Sequence, residues 1–304
     1  MYSRASQKRR GVAPLLAPTG VDFLPVSVRI TWILENDHDG KGAPMRTHSF
    51  PHPGDGVIVT GAARGIGAAT VANLVRAGIH VIAADSNSEM LAETLKQIDP
   101  SGALTVAVHA DVTSESECKK IADVAASKGV RIKGLVNNAA VGAFNMSVEK
   151  TSYDQWQRII SINLTSIYLM SKYALPLLRQ AGGGAVINIS SIHAFATSTG
   201  VAPYAAAKGG VLALTRTMAL DLAPDNIRVI SIHPGATNTP MLQEHAQREG
   251  KSLAELGFPT SDNAIGRIAE PEEVADVISF ALSKGASFIT GSSITPDGGI
   301  LAKF

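Results

Sequence analysis

A tyrosine and a lysine stand four positions apart in the segment PYAAAKGG, where three alanines separate Tyr204 from Lys208. On a helix, positions i and i+4 lie on the same face one turn apart, so the phenol and the ammonium are expected to be neighbours. A phenol beside a cation gives up its proton more readily than a phenol in water. The pair therefore points to proton transfer, against the alternative of two polar residues on a solvated helix face.

The size of this charge effect follows from Coulomb's law. A free phenol has a pKa near ~10, and a cation ~4 Å away at an effective dielectric constant of ~20 contributes ~4 kcal/mol, which equals roughly three pKa units. Desolvation of the phenolate acts in the opposite direction, so three units is an upper estimate. We therefore expect Lys208 to lower the pKa of Tyr204 toward neutrality.

A glycine-rich segment, TGAARGIG from Thr60 to Gly67, follows the first run of valine and isoleucine. Its glycines allow a tight turn, close approach of the backbone to a pyrophosphate, and close packing of a helix whose N-terminal N–H groups bind anions. Asp85 ends the second apolar run, where a carboxylate can accept hydrogen bonds from a ribose 2′-hydroxyl. The alternative for the glycines alone is an ordinary turn between strand and helix, but with Asp85 they predict a dinucleotide site.

Further motifs follow the glycine segment. They are HADV with Asp111, NNAA from Asn137 to Ala140, SINL with Asn163, NISS with Ser191, the Tyr204 and Lys208 pair thirteen residues beyond Ser191, HPGATNT with Pro234, and ITGSSITPDGG near the C-terminus. With the glycine spacing, this order resembles the short-chain dehydrogenase/reductase family over about residues 54–304. The chain departs from the family's N-N-A-G element at Ala140, which slightly enlarges the side chain beside the nicotinamide.

The resemblance implies an oxidoreductase that transfers a hydride between a nicotinamide dinucleotide and a secondary alcohol or ketone. Because a carbinol loses hydride only as its hydroxyl proton leaves, a base must face that oxygen, and Tyr204 is the expected base. Ser191 is expected to hydrogen-bond the reacting oxygen. By resemblance, Lys208 also binds the nicotinamide ribose and Asn163 holds a water that links the lysine to solvent.

The resemblance and the glycine loop together give a set of residues expected to contact the dinucleotide. They are Gly61, Arg64, Gly65, Ile66, Gly67, Asp85, Asp111, Val112, Asn138, Ala139, Tyr204, Lys208, Pro234, Gly235, Thr237 and Thr239.

Two residues give opposite indications about which dinucleotide is used. Asp85 would repel a 2′-phosphate and is followed by Ser86 and Asn87 with no cation, whereas Arg64 in the glycine loop could reach a phosphate. Because the carboxylate lies at the ribose itself, and Arg64 is compatible with a salt link or solvent exposure, we expect NAD rather than NADP.

Composition excludes several other classes of protein. The 304 residues are 45% apolar and 17% charged with a formal net charge of +1, which gives no long-range field to attract nucleic acid or an anionic membrane. No apolar run reaches the ~18 residues of a membrane span, and the dispersed histidines and single Cys118 form no metal motif or disulfide. We expect a small-molecule enzyme without a metal, in a reducing cytoplasm.

Short apolar runs alternate with longer helical segments from Gly56 onward, which predicts an α/β fold with a doubly wound parallel sheet, the Rossmann fold, in one domain over residues 54–304. The longest helices are expected at about 152–180 and 203–223. Residues 1–53 lack such periodicity and are expected to be a disordered or artefactual extension. A transit peptide, or a start at Met45, are the alternatives.

Residues 240–263 are expected to form a lid over the substrate. Met241, Leu242 and Leu253 could line an apolar site, while Glu244, His245 and Arg248 could bind a polar group but are expected to face water. His193, two residues after Ser191, could be a rival base or contact the substrate directly, but it is expected to be a pocket wall, and His233 is expected to be structural. The substrate is expected to be a secondary alcohol or ketone on a sugar, polyol, steroid or ring diol.

Two other functions compete with an NAD-dependent alcohol dehydrogenase. One is an NADPH-dependent reductase of 3-oxoacyl thioesters, against which Asp85 argues; the other is a nucleotide-sensing protein without catalysis, which would not need Tyr204 and Lys208. The resemblance also implies a homotetramer, and Ile167, Met170, Leu212 and Met218 are expected to be spare apolar residues for helix pairing across a twofold axis.

Overall fold

Seven parallel strands form the centre of the structure, a computed structural model that describes residues 51–256 and 263–303. The strands are β1 (Gly56–Thr60), β2 (His80–Asp85), β3 (Thr105–His109), β4 (Ile132–Asn137), β5 (Gly184–Ile189), β6 (Ile227–Ile232) and β7 (Ser293–Ile294). Their order across the sheet is β3-β2-β1-β4-β5-β6-β7. The winding direction reverses between β1 and β4, and the loops after these two strands therefore diverge and open a crevice.

Eight α-helices connect the strands in the described part of the chain. They are α1 (Gly65–Arg76), α2 (Ser88–Ile98), α3 (Glu115–Ser127), α4 (Tyr153–Ile160), α5 (Ser166–Gln180), α6 (Ala202–Leu222), α7 (Pro240–Glu249) and α8 (Pro271–Leu282). All six pairings between neighbouring strands are parallel, as expected when helices form the crossovers. The structure confirms the predicted doubly wound Rossmann fold.

Two apolar clusters cover the two faces of the sheet. Val57 and Val59 of β1 join the cluster under α1, α2 and α8, and Ile58 joins the cluster under α3, α5 and α6. Successive side chains of a strand point to opposite faces, so a strand covered on both sides must be apolar at every position. This constraint accounts for the unbroken valine and isoleucine runs in the sequence.

The helix expected at 152–180 is interrupted. A π-helical turn, Ser161–Thr165, separates α4 from α5 and contains the fully buried Asn163. Such turns often occur at functional sites. By contrast, α6 matches the expected helix at 203–223 to within one residue at each end, and the predicted closing strand is reduced to the two residues of β7.

The four residues expected to be spare apolar surface are buried within the chain. Ile167, Met170, Leu212 and Met218 are 2%, 1%, 8% and 8% exposed, so this part of the prediction is wrong. Each faces inward because α5 and α6 bury more of their surface within the chain than the sequence pattern indicated. The exposed apolar residues on these helices are Tyr168 and Leu220.

The described residues contain no helix long and apolar enough to cross a lipid bilayer. Of the predicted N-terminal extension, residues 1–50 lie outside the described residues, and so do residues 257–262 of the predicted lid.

Candidate active site

A cavity of about 1090 Å³ opens at the carboxyl edge of the sheet, where the loops after β1 and β4 diverge. Ligands of open α/β sheets bind at this position. Of the residues predicted from the sequence to contact a cofactor or to take part in catalysis, all line the cavity except Gly67 and Asn163. Predicted residues from seven separate segments of the sequence therefore meet in one crevice.

Two positions in the glycine loop after β1, Gly61 and Gly67, have no room for a side chain. Gly61 has a φ of +64°, and a Cβ there would lie 2.8 Å from the Cα of Ala139. A Cβ on Gly67 would lie 2.0 Å from the carbonyl oxygen of Gly61, so α1 can begin directly behind the loop only because this side chain is absent.

Hydrogen bonds tie the glycine loop to the loop after β4. The side-chain amide of Asn138 donates to the carbonyl oxygens of Thr60 and Gly61, both at 3.0 Å. The hydroxyl of Thr60 in turn accepts from the backbone N–H groups of Asn138 and Ala139, both at 3.1 Å. Asn138 therefore fixes the separation of the two loops.

Asp85 lies at the end of β2 and braces the same loop. One carboxylate oxygen accepts from the backbone N–H of Ala63 at 3.0 Å, and the other accepts from that of Asn87 at 2.9 Å. Beside it, Arg64 forms an ion pair with Glu244 of α7, which agrees with the salt link considered from the sequence. The cationic residue of the loop is thus already matched by a carboxylate.

Tyr204 and Lys208 occupy one face of α6, as their spacing predicted. Lys208 is 2% exposed, and its Nζ donates to the carbonyl oxygen of Ile189 at 2.8 Å and lies 5.5 Å from the centre of the Tyr204 ring. Burial lowers the pKa of Lys208 to about 7. An ammonium inside the protein loses its hydration, which disfavours the charged form.

Burial also raises the pKa of Tyr204, while a hydrogen bond from Ser191 acts in the opposite direction. The structure therefore reverses the expectation that Lys208 brings this phenol toward neutrality. The reason is that burial removes water from both groups. The lost hydration of the phenolate raises the pKa of Tyr204 by more than the hydrogen bond from Ser191 lowers it.

Ser191 follows β5 and is held from both sides. Its hydroxyl accepts the backbone N–H of His193 at 3.3 Å, and its carbonyl oxygen lies 3.0 Å from Nδ1 of His233. His233 is fully buried, with Nε2 2.8 Å from the hydroxyl of Ser231, which agrees with its predicted structural role. The arrangement fixes the backbone on which the Ser191 hydroxyl is carried.

Asn163 does not line the cavity. Its side-chain oxygen accepts the N–H of Val141 and its side-chain nitrogen donates to the carbonyl oxygen of Val141, both at 3.0 Å. The π-helical turn points this side chain at the loop after β4, so the side chain anchors that loop, and the water link to Lys208 that the resemblance implies stays a prediction.

Helix α7 closes one side of the cavity. Met241 and Leu242 line it as predicted, but Leu253 does not. The prediction that His245 faces water is wrong, because its ring is 8% exposed and stacks on Phe144 with ring centres 3.7 Å apart. Glu244 and Arg248 are exposed, as predicted.

The sequence did not reveal several parts of the cavity wall. They are the loop of residues 141–144, Arg158, Ser161 and Ile162 of the α4 region, residues 196–198, and Ile300 with Leu301 near the C-terminus. Positions 158, 161 and 162 share one helical face by their spacing, but the sequence gave no sign of what that face contacts. Among residues 51–256 and 263–303, no group of three or more His, Cys, Asp or Glu side chains is placed to hold a metal ion.

This fold and this site define an oxidoreductase of the Rossmann type that uses a nicotinamide dinucleotide. The family model described as enoyl-(acyl carrier protein) reductase matches residues 61–301. The cyclopentanol dehydrogenase of Comamonas testosteroni is 37% identical over 246 residues, which cover 81% of this chain and 96% of that protein. The meso-2,3-butanediol dehydrogenase of Serratia marcescens is also 37% identical over 246 residues, covering 81% of this chain and 94% of that protein.

A solved structure gives the same result. The 3-ketoacyl-(acyl-carrier-protein) reductase of Brucella melitensis, in complex with NADH, superposes with a TM-score of 0.74 at 28% identity, covering 81% of this chain and 98% of that one. The chain belongs to the short-chain dehydrogenase/reductase family, and it is an NAD(P)-dependent oxidoreductase that acts on CH–OH groups.

Replacing Lys208 by methionine removes the buried amino group and keeps a side chain of similar length. Between about pH 7 and the ordinary lysine pKa of 10.5, the unfolded chain binds a proton that the folded protein does not, so wild-type stability rises with pH across this interval. Lys208→Met is therefore expected to gain stability over the wild type at about pH 6, and this gain should shrink by more than ~1 kcal/mol by about pH 10.

Urea denaturation at the two pH values measures this difference. Lys96→Met, at an exposed lysine of α2, is the matched control. Its free energy of unfolding should differ from that of the wild type by the same amount at both pH values. An effect of Lys208→Met that does not change with pH would contradict the stated cost of burying its charge.

Proposed function

We propose that this protein is an NAD-dependent dehydrogenase that oxidises a small secondary alcohol to a ketone, with Tyr204 as the base. The observation that carries the proposal is the convergence of Ser191, Tyr204 and Lys208 on one wall of the cavity beside the glycine loop. The apolar side chains of Met241 and Leu242, which line the same cavity, suit the carbon skeleton of such an alcohol. The names of the relatives, a cyclopentanol and a butanediol dehydrogenase, support substrates of this size.

The cavity fits a dinucleotide. The glycine loop has no Cβ where a pyrophosphate must approach the backbone, and α1 begins at Gly65 directly behind it. Asp111 and Val112 line the cavity at the end near β3, and Pro234, Gly235, Thr237 and Thr239 line it after β6. We assign the adenosine half to the first group and the nicotinamide half to the second.

The chain's own residues carry the proton. When bound, the dinucleotide supplies the hydride acceptor and a positive charge that opposes the effect of burial on the Tyr204 pKa. Tyr204 in its phenolate form takes the proton of the alcohol and becomes a neutral phenol, and the Ser191 hydroxyl, hydrogen-bonded to Tyr204, holds the reacting oxygen in line. The neutral amine of Lys208, whose pKa is about 7, then takes a proton from the phenol, and this transfer restores the phenolate.

Two carboxylates support NAD over NADP. Asp85 lines the cavity beside the glycine loop and would repel a 2′-phosphate. Arg64, the cation that could bind such a phosphate, is paired with Glu244. Binding of NADP would therefore require breaking this pair and placing two negative groups side by side.

A reductase of 3-oxoacyl thioesters is the second candidate, because the Brucella structure carries that name. Asp85 and the Arg64–Glu244 pair weigh against its NADPH-dependent form. A nucleotide sensor without catalysis is disfavoured, since it would have no use for a buried lysine beside a buried phenol.

Tyr204→Phe is expected to reduce turnover of a secondary alcohol more than tenfold while leaving NADH binding intact, because it removes the titrating oxygen and keeps the ring.

The rate of alcohol oxidation by the wild type should rise with pH, and the rate of ketone reduction should fall over the same interval, since reduction needs the protonated phenol. Initial rates and NADH titration measure these effects. Tyr153→Phe, at an exposed tyrosine, is the matched control; a Tyr204→Phe enzyme with more than a tenth of wild-type turnover would exclude Tyr204 as the base.

Wild-type protein is expected to bind NADH at least tenfold more tightly than NADPH, which corresponds to ~1.4 kcal/mol. Asp85→Asn and Glu244→Gln should each reduce the difference in affinity between NADH and NADPH. The first removes the charge that repels a 2′-phosphate, and the second frees Arg64 to bind that phosphate. Asp123→Asn, on the exposed face of α3, is the control. Fluorescence titration with both dinucleotides measures the ratio, and a tenfold preference for NADPH would refute NAD as the cofactor.

We also propose that the protein lies in the cytoplasm, where a free buried thiol such as Cys118 is stable. We further propose a homotetramer, as the family resemblance implies. Exposed apolar residues on α5, α6 and the C-terminal region support association: Tyr168, Leu220, Phe280 and Phe288. Light scattering at micromolar concentration should give four times the chain mass of 31.7 kDa, and a monomeric mass would refute the assembly.

A further inference from the structure

The cavity wall beside Tyr204 carries a second polar ring that the proposed proton transfer does not use. His193 lies in the short 3₁₀ turn Ile192–Ala194 after β5 and lines the cavity. Its ring meets the Tyr204 ring edge-on, with ring centres 5.7 Å apart and planes at 84°. A substrate whose alcohol oxygen faces Tyr204 therefore has this imidazole as a neighbour.

The position of the imidazole is fixed by one of its two nitrogens. Nδ1 lies 3.0 Å from the hydroxyl of Thr197, and the backbone N–H of His193 donates to Ser191. Within the described part of the chain, no residue forms a hydrogen bond with Nε2 of His193. Because the ring lines the cavity, Nε2 is the nitrogen left for a ligand.

The charge state of this ring limits the ligand it can take. Burial lowers the pKa of His193 below its ordinary value of 6.5, so the imidazole is neutral at neutral pH. A neutral imidazole offers one donor or one acceptor, which suits a hydroxyl or a carbonyl oxygen and gives no charge attraction for a carboxylate or phosphate.

The surroundings make this one hydrogen-bonding group selective. The same cavity is also lined by the apolar side chains of Ile192, which directly precedes His193 in the chain, and of Met241 and Leu242. In such a wall a hydrogen-bonding group discriminates strongly, because a substrate that lacks the matching group leaves a desolvated polar atom unpaired.

We propose that His193 is a specificity-determining residue that hydrogen-bonds a second oxygen of the substrate, adjacent to the reacting carbinol. The inference rests on the proposed alcohol dehydrogenase function and narrows its substrate class to vicinal diols and α-hydroxyketones. Proton abstraction stays with Tyr204, which lies beside Lys208, and His193 selects which alcohol is presented to it.

A pair of ring alcohols that differ by one hydroxyl tests the proposal. The value of kcat/KM is measured for 1,2-cyclopentanediol, as separate cis and trans isomers, and for cyclopentanol. Wild type should prefer one diol isomer to cyclopentanol by at least tenfold. His193→Leu should lower this diol-to-alcohol ratio at least tenfold, and His193→Gln, whose amide can still hydrogen-bond a hydroxyl, should restore part of it.

The matched control is His80→Leu, the same substitution at the first residue of β2, at the opposite edge of the sheet from the cavity. Its ratio should equal that of the wild type. The assignment of His193 would be overturned if the diol-to-alcohol ratio of kcat/KM were equal in wild type and His193→Leu. It would also be overturned if His193→Leu lowered kcat/KM equally for both alcohols and changed the pH profile. Either outcome would leave the proposed dehydrogenase function intact. No turnover of either alcohol by the wild type would instead overturn the proposed function, and this inference with it.

Discussion

The crevice depends on a constraint of the parallel sheet, in which β1 and β4 are neighbours whose following loops must leave in opposite directions. Such a gap would close or widen if nothing bridged it. Four hydrogen bonds between Thr60, Gly61 and the Asn138–Ala139 backbone and side chain span it, and the absence of a Cβ at Gly61 and Gly67 lets the two loops approach this closely. The shape of the crevice therefore depends on contacts between these two loops, which the sheet supports from below.

The catalytic wall of the crevice places polar groups where burial disfavours their charge. Lys208 is held inside the protein by the carbonyl oxygen of Ile189, and the pKa shifts of Lys208 and Tyr204 both follow from lost hydration. Burying these groups costs stability, and the same desolvation would strengthen interactions with charge that develops in the proposed reaction. A lysine pKa of about 7 suits the proton exchange that we propose for Lys208 at neutral pH.

Contacts with α7 show how the substrate side is enclosed. Phe144 stacks on His245, Asn145 donates to Glu249, and Arg64 pairs with Glu244, so one short helix is attached both to the loop after β4 and to the glycine loop. The two loops that bound the crevice therefore share α7 as a common neighbour, so a substitution in α7 can displace both loops.

The sequence by itself determined the fold class and, apart from the parts of the wall formed by residues 141–144, 158, 161–162, 196–198 and 300–301, most of the residues that meet in the crevice. Apolar runs without polar alternation are required by a sheet covered on both faces, and the Tyr204 and Lys208 spacing fixes both side chains on one face because both lie in one helix. The glycines could be located for the same kind of reason, since backbone conformation is a local property.

Only the tertiary structure decided the partners and the burial of these residues. Arg64 and Glu244 are 180 positions apart, Asn163 binds Val141, and His245 stacks on Phe144, and no local pattern encodes such meetings. Helix periodicity likewise placed Ile167 and Met218 among apolar residues, but it could not tell whether they pack within the chain or remain exposed for another subunit. The Tyr204 pKa was misjudged for this reason: charge and spacing are written in the sequence, whereas desolvation depends on how much of the folded chain surrounds a group.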